Sequence, residues 1–329
     1  MTDDQKPKAN TVKLKPPTPA TERLIDFSCI IFDEPASSKE AAYLPRELVQ
    51  CTLPHRNPGD MPYWTRHNGG LSLTIRPGWD NKTKECLGYP YGSIPRLLLF
   101  WITTEVIRTK SRRLELGRSL SQFMLKLGLN PLTGRGKRGD ATRLRDQMER
   151  LFNALISFDR DLDRGCDHGV ARMNMAVVDN CEYWWHRSDT DENLLWGSWI
   201  EIGERFYNAI IAAPVPTDVR ALRALKKSPL ALDLYAFLTY ESFRANKSGK
   251  PRFATWKSLH SRFGGEYTHM QNFRSKVKAA LVKIQGVYPG LRLGQREGGI
   301  EVLPGSRPAL PPRLVDDPVS KRKAQGKNG

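Results

Sequence analysis

Long hydrophobic runs, paired cysteines and closely spaced histidines are all missing from this 329-residue chain. The longest strongly apolar run, Leu97 to Ile102, is far short of the roughly 20 residues a membrane-spanning helix needs. The N-terminus, MTDDQKPKAN, lacks the apolar core of a signal peptide. The cysteines (Cys29, Cys51, Cys86, Cys166 and Cys181) are odd in number and form no CxxC pair, as expected of a reduced, cytoplasmic protein. No histidine lies two residues from another, so the His-apolar-His metal pair of a nickase is excluded. Cys166, His168, Cys181 and His186 can be grouped, but CxH followed by CxxxxH is not a usual zinc spacing. Tyrosines without a neighbouring base or metal read as core or interface residues. No catalytic residue, metal or cofactor is therefore expected, and no enzyme.

What the chain has is positive charge: 52 Lys+Arg against 35 Asp+Glu, a formal +17. Such a surplus favours a polyanion, above all double-stranded DNA, because each cation set against a phosphate releases condensed counterions. An anionic membrane is the weaker alternative, given the absence of an apolar span. Residues 1–25, rich in Lys, Pro and Thr, read as a disordered basic arm, and 306–329, with RPALPPR and SKRKAQGKNG, as a disordered basic tail. At roughly 150 residues per domain the length allows two domains. The Pro-containing stretch after Ala213 suggests a linker over 213–227 between domains at 26–212 and 228–305. Within the first, RHNGGLSLTIRPG alternates Leu71, Leu73 and Ile75, a strand that joins either its own domain or a partner.

A diverged repeat organises the two domains. SLSQFMLKLG (119–128) and TWKSLHSRFG (255–264) align without gaps. Each opens on an N-cap, Ser119 or Thr255, with Gln122 completing a capping box in the first, and each closes on a glycine suited to a left-handed helix end. A long helix precedes each, from Pro95 and from Pro229, and an amphipathic helix follows. Leu144, Met148, Leu151 and Leu155 step by 4, 3 and 4, as do Phe273, Val277, Ala280 and Ile284, which makes one buried stripe apiece. Strand signals come next: VARMNMAVVD and ENLLWGSWIEIG in the first copy, GLRLGQ and GIEVLPG around Glu297-Gly298-Gly299 in the second. Trp184, Trp185, Trp196 and Trp199 crowd the first of these hairpins and read as packing rather than base-stacking residues. The expected fold is α+β, mainly helical: two tandem winged-helix domains with β-hairpin wings and disordered basic termini.

In such a domain the third helix enters the major groove. With the stripe inward, a step of ~100° per residue turns Thr142, Glu149, Arg150 and Asn153 outward with Arg143 and Arg145 on the flanks, and in the second copy Gln271, Ser275 and Lys278 with Arg274 beside them. Arg, Gln and Asn are the side chains able to read guanine and adenine edges bidentately. Arg296 adds a cation at the second wing. Any surface helix of a basic protein carries cations, but two in equivalent places favour the functional reading. Before the first of these helices stands TGRGKRGD. A Walker loop requires a strand before it, Gly where Pro131 stands and Ser or Thr where Arg138 stands, so this loop grips a nucleic-acid backbone through Arg135, Lys137 and Arg138 beside a helix N-terminus.

GYPYGSIPRLLLFWITTEVIRTKSRRLELGRSLSQFMLKLGL, TGRGKRGDATRLRDQMERLF, SPLALDLYAFLTY, WKSLHSRFGGEY and VYPGLRL closely resemble the plasmid RepA-type replication initiator family, from about residue 88 to about 305. The resemblance implies a nonenzymatic bacterial initiator that binds repeated sites (iterons) at a plasmid origin, helps open the duplex, recruits the host initiator and replicative helicase, and switches between a DNA-binding monomer and a homodimer. A dimeric winged-helix regulator of its own promoter is the alternative. Arg143→Ala with Arg145→Ala should lower affinity and relax base preference. Lys137→Ala with Arg138→Ala should weaken binding to all DNA and reduce the salt slope by about one for each phosphate no longer held. Titrations of specific and mixed duplexes across a salt series check both, and intact binding in all four changes would contradict the assignment.

Overall fold

The computed structural model describes residues 18–133, 136, 139–164, 167–183 and 198–310. Among them are ten α-helices and five small sheets, a mixed α/β architecture. No described helix is long and apolar enough to cross a membrane.

Of the expected disordered arm, residues 1–17 lie outside the described residues, but it ends before residue 25. Helix α1 (Pro19–Asp33) starts at Pro19, with the Thr18 hydroxyl accepting from the Thr21 N–H, a sound N-terminus. Its Leu24 and Ile31 dock on the core, contacts that a polar local composition hides. Strand β1 (Ala41–Pro45), helix α2 (Arg46–Gln50), and strands β2 (Trp64–Asn68), β3 (Leu71–Arg76), β4 (Gly78–Asp80) and β5 (Glu85–Gly88) follow.

The first repeat comprises α3 (Ser93–Thr109), β6 (Arg113–Glu115), α4 (Leu120–Lys126), α5 (Asp140–Phe152), β7 (Leu155–Arg164), β8 (Asp167–Ala176), β9 (Val178–Glu182) and β10 (Trp199–Ile202). Strand β3 pairs with β2 on one side and β7 on the other, so the alternating strand joins its own half of the chain, with Leu73 and Ile75 fully buried. Three further elements, α6 (Glu204–Ala212), β11 (Pro214–Asp218) and α7 (Val219–Leu225), lead to the second repeat: α8 (Pro229–Ser248), β12 (Arg252–Thr255), α9 (Trp256–Phe263), α10 (Met270–Val287) and β13 (Gly299–Val302). Both repeats run helix, strand, helix, helix, hairpin. The sheet order is β6-β10-β9 in one; in the other β12 pairs with β13 and Val302 bridges back to Leu293.

Local chemistry explains the repeat and where it departs from expectation. The Ser119 and Thr255 hydroxyls accept from Gln122 N–H and Ser258 N–H, capping α4 and α9. Gly128 is left-handed (φ +70), but Gly264 is not, with φ −106. A Cβ at Gly264 would stand 2.5 Å from the His260 ring, so close packing, not handedness, demands glycine there. In α5, Leu144, Met148 and Leu151 are buried, but the helix ends at Phe152, and Leu155 opens β7 with 37% exposure. Phe152 takes the fourth inward place. All four stripe residues of α10 are buried.

The stretch expected as a linker is structured instead. Strand β11 pairs with β1 from Ala41↔Asp218 to Pro45↔Pro214; a two-stranded sheet has only edges, where proline is tolerated. Helix α7 buries Ala221, Leu222 and Leu225. Asp218 caps α7 and grips Arg220, which donates to the Glu34 carbonyl at the end of α1. The expected tail starts later than 306 as well: Ser306 and Leu310 are buried, the latter beside Ala41 and Tyr43.

A buried ionic network joins the repeats. The Arg96 guanidinium of α3 donates to both Asp233 carboxylate oxygens of α8, at 2.7 and 2.8 Å, and to the carbonyls of Leu53, Pro54 and Gly92. His55 stands between two carboxylates, with Nε2 2.8 Å from Asp233 and Nδ1 3.3 Å from Glu266. Glu266 also receives Arg66 at 2.9 Å and the His55 N–H at 3.0 Å. Arg66 in turn donates to the Arg262 carbonyl. Burial acts to raise the Glu266 pKa, but the His55 and Arg66 contacts outweigh it and bring it from 4.5 to about 2. Asp233 is held well below the usual carboxylate range, Arg96 and His55 overriding its burial.

The Glu266 shift sets a pH dependence. Its folded value lies below its ordinary one, so its stabilisation is fully present above 4.5 and is lost as pH falls through about 2. Urea unfolding followed from neutral pH downward should show stability declining across that window, and Glu266→Gln should flatten the decline. An unchanged profile in that variant would contradict the network.

Candidate nucleic-acid interface

Helix α5 begins at a pinned corner. Asp140 is its first residue, and Gly139 is the N-cap. The Asp140 carboxylate accepts from Asn130 N–H and lies 3.4 Å from Arg143, a charge suited to the positive helix end. The Asp140 N–H donates to Thr133 Oγ1, and the Thr133 hydroxyl donates to the Asn130 carbonyl. Arg135, Lys137 and Arg138 lie outside the described residues. Thr142 and Arg143 are exposed and Arg145 is half-buried.

Asn153 is exposed, as helical periodicity gives, but Arg150 is half-buried and sits differently from the expected outward placement. Arg150 Nε donates to Asp146 at 3.0 Å and Nη1 to the Tyr89 carbonyl at 3.4 Å, while the guanidinium stacks over the Tyr91 ring. Gly78 packs against Asn153, where a Cβ would come within 2.4 Å, and the Asn153 amide donates to the Glu149 carbonyl. The segment from β4 to Tyr91 therefore covers the C-terminal half of α5, leaving its first two turns open. By sequence the neighbouring β7–β8 hairpin carries four Asp (Asp159, Asp161, Asp163 and Asp167) and three Arg (Arg160, Arg164 and Arg172). Arg172 is paired with Asp159 at 2.8 Å. Such an acidic arm does not suit a polyanion.

Helix α10 is different. Residues 267–296 contain no Asp or Glu but carry Arg274, Lys276, Lys278, Lys283, Arg292 and Arg296. All six are exposed together with Gln271 and Ser275, and among the described residues none forms an ion pair. The hairpin after α10 turns at Gly298 (φ +86), fastened by Gly294 N–H to Glu301 O and Leu303 N–H to Arg292 O. Arg296 stacks on Phe253 at 4.1 Å and Arg274 on Trp256 at 5.6 Å, so the corner between β12 and α9 brings helix and hairpin cations together. Periodicity found Gln271, Arg274, Ser275 and Lys278 but not Lys276, Lys283 or Arg292, which the acid-free stretch marks. In the supposed zinc quartet, Cys166 and His186 lie outside the described residues. Among those described, no three His, Cys, Asp or Glu side chains form a metal-holding group.

The family model described as "Plasmid encoded RepA protein" matches residues 89–257. The chain belongs to the plasmid-encoded RepA family. The RepA match begins just before α3 and runs into α9, so it includes the whole first repeat and the opening of the second. Comparison with curated proteins returns no match. Among solved structures, a selenomethionine derivative of domains 2 and 3 of RctB is similar at a TM-score of 0.43 and 11% identity, covering 77% of this chain and 95% of that one. A second structure of RctB domains 2-3 gives 0.41 and 12%, covering 78% and 94%.

Removing Arg150 should act on stability: Arg150→Ala gives up the bonds to Asp146 and the Tyr89 carbonyl and the stacking on Tyr91, and should cost about 1–2 kcal/mol in urea unfolding. Arg274→Ala with Lys278→Ala should leave the midpoint unchanged, since surface cations contribute little. The reverse order of effects would contradict these placements.

Proposed function

We propose that this chain initiates plasmid replication by binding direct repeats at the plasmid origin through two winged-helix units, promoting duplex opening and recruiting the host initiator and replicative helicase. The observation that carries the reading is the acid-free face of α10, whose exposed cations and Gln271 lie beside a hairpin bearing Arg296. The shared element order of the two repeats and the RepA membership support it further. On this reading α10 and α5 are the groove-entering helices. Arg143, Arg274 and Gln271 read base edges, and Lys276, Lys278, Arg292 and Arg296 hold phosphates.

Two readers on one chain span successive major-groove faces about one helical turn apart, so a monomer covers a site near 20 base pairs. Two unlike readers in fixed order match a direct repeat; a palindrome would call for a symmetric dimer. The reading assigns no bond-breaking step to the chain: its work is binding, and opening draws on the free energy of binding to several repeats. Phosphate contacts make that binding steeply salt-dependent.

A footprint on the intergenic DNA beside the gene, with a nicking assay on the same supercoiled sample at fixed salt, tests the proposal. Phased protection over direct repeats without cleavage is the expected result. A palindromic footprint would point to a dimeric regulator instead, and a site-specific nick would overturn the nonenzymatic reading.

A further inference from the structure

A second group of cations gathers where α7 ends and α1 begins. Arg223, Lys226 and Lys227 lie on and just after the last turn of α7, and Arg23 comes from the first half of α1. The turn is seated on the end of α4: Arg223 Cγ is 3.0 Å from where a Cβ at Gly128 would be, and the Lys226 ammonium donates to the Gly128 carbonyl. Helix α1 packs on both α7 and α10, and α7 touches α10. The group therefore occupies the strip between the α4–α5 corner and α10.

Three features separate it from an ordinary solvated surface. Among the described residues, none of Arg23, Arg223, Lys226 or Lys227 pairs with a carboxylate, and Arg223 Nε is buried with no hydrogen-bond partner. The other three charges also act on Lys226. Burial first, then Arg23, Lys227 and Arg223, lower the Lys226 pKa, against an opposing pull from Asp140 at the start of α5. Like charges held together repel, and a phosphodiester anion laid across them would relieve that repulsion. Finally, on the DNA-binding reading, a backbone running from α5 to α10 would meet these cations between the two helices.

We propose that Arg23, Arg223, Lys226 and Lys227 form a phosphate-binding bridge that grips the DNA backbone between the segments entered by α5 and α10. The proposal rests on the DNA-binding reading above and adds a site to it. Arg23 and Lys227 are exposed and reach outward; Arg223 and Lys226 anchor the strip to α4. The bridge carries no sequence information, since it touches only backbone.

The test is anisotropy of the full chain on two duplexes of roughly 40 base pairs, about four helical turns, one from the DNA beside its own gene and one of mixed sequence, across a salt series. Arg23→Ala with Lys227→Ala should weaken binding to both duplexes by a similar factor and flatten the salt slope by about two, one per phosphate. Base preference and thermal midpoint should not change. Arg274→Ala with Lys278→Ala serves as the comparison and should also reduce the preference between the duplexes. If the first variant keeps the full slope while the second loses affinity, the bridge is wrong and the DNA reading stands. If the unaltered chain binds neither duplex, the DNA reading itself falls and the bridge with it.

Discussion

Asp233 is the point where the two repeats meet. Both of its oxygens take the Arg96 guanidinium, and one also faces His55, all within a region closed to water. Buried charges are costly unless paired and fully hydrogen-bonded, and removing one partner strands the other. Here the guanidinium is spent on one carboxylate and three carbonyls, so Arg96 fits only when the loop between α2 and β2, the start of α3 and α8 are all in place. Glu266 and Arg66 extend the same demand to β2 and to the segment leading into α10. An apolar contact would tolerate sliding between the repeats; this network does not. It fixes the angle at which α5 and α10 are presented.

On that frame the charge surplus is unevenly distributed. Within α5 the three arginines are matched by Asp140, Asp146 and Glu149, and the β7–β8 arm is rich in Asp. Around α10 there is no acid at all from 267 to 296, so the field of the second repeat falls on whatever approaches it. The two repeats share an architecture but differ in electrostatics; on the proposed DNA-binding reading the second would supply most of the phosphate affinity and the first would add contacts through the opening turns of α5.

Features set by neighbouring residues were legible in the sequence. The caps at Ser119 and Thr255 and the stripe from Phe273 to Ile284 follow from side-chain hydrogen bonding and helical period, and they located both repeats. Features set by distant partners were not. Arg96 and Asp233 are 137 positions apart and His55 and Asp233 178 apart, and nothing local marks them as a set. For the same reason Arg150 looked free: the segment that covers it comes from before α3. The prolines near 214 suggested a linker because proline interrupts helices and central strands, whereas the strand they form is an edge. Of the candidate interface, the α10 face was readable by periodicity, and its lack of acid is written in the sequence as plainly as its cations.

Scanning calorimetry of the full chain at neutral pH tests the central claim, that buried ions lock both repeats into one cooperative frame. The account predicts a single transition whose calorimetric and van't Hoff enthalpies agree. Two resolved transitions, one for each repeat, would contradict it.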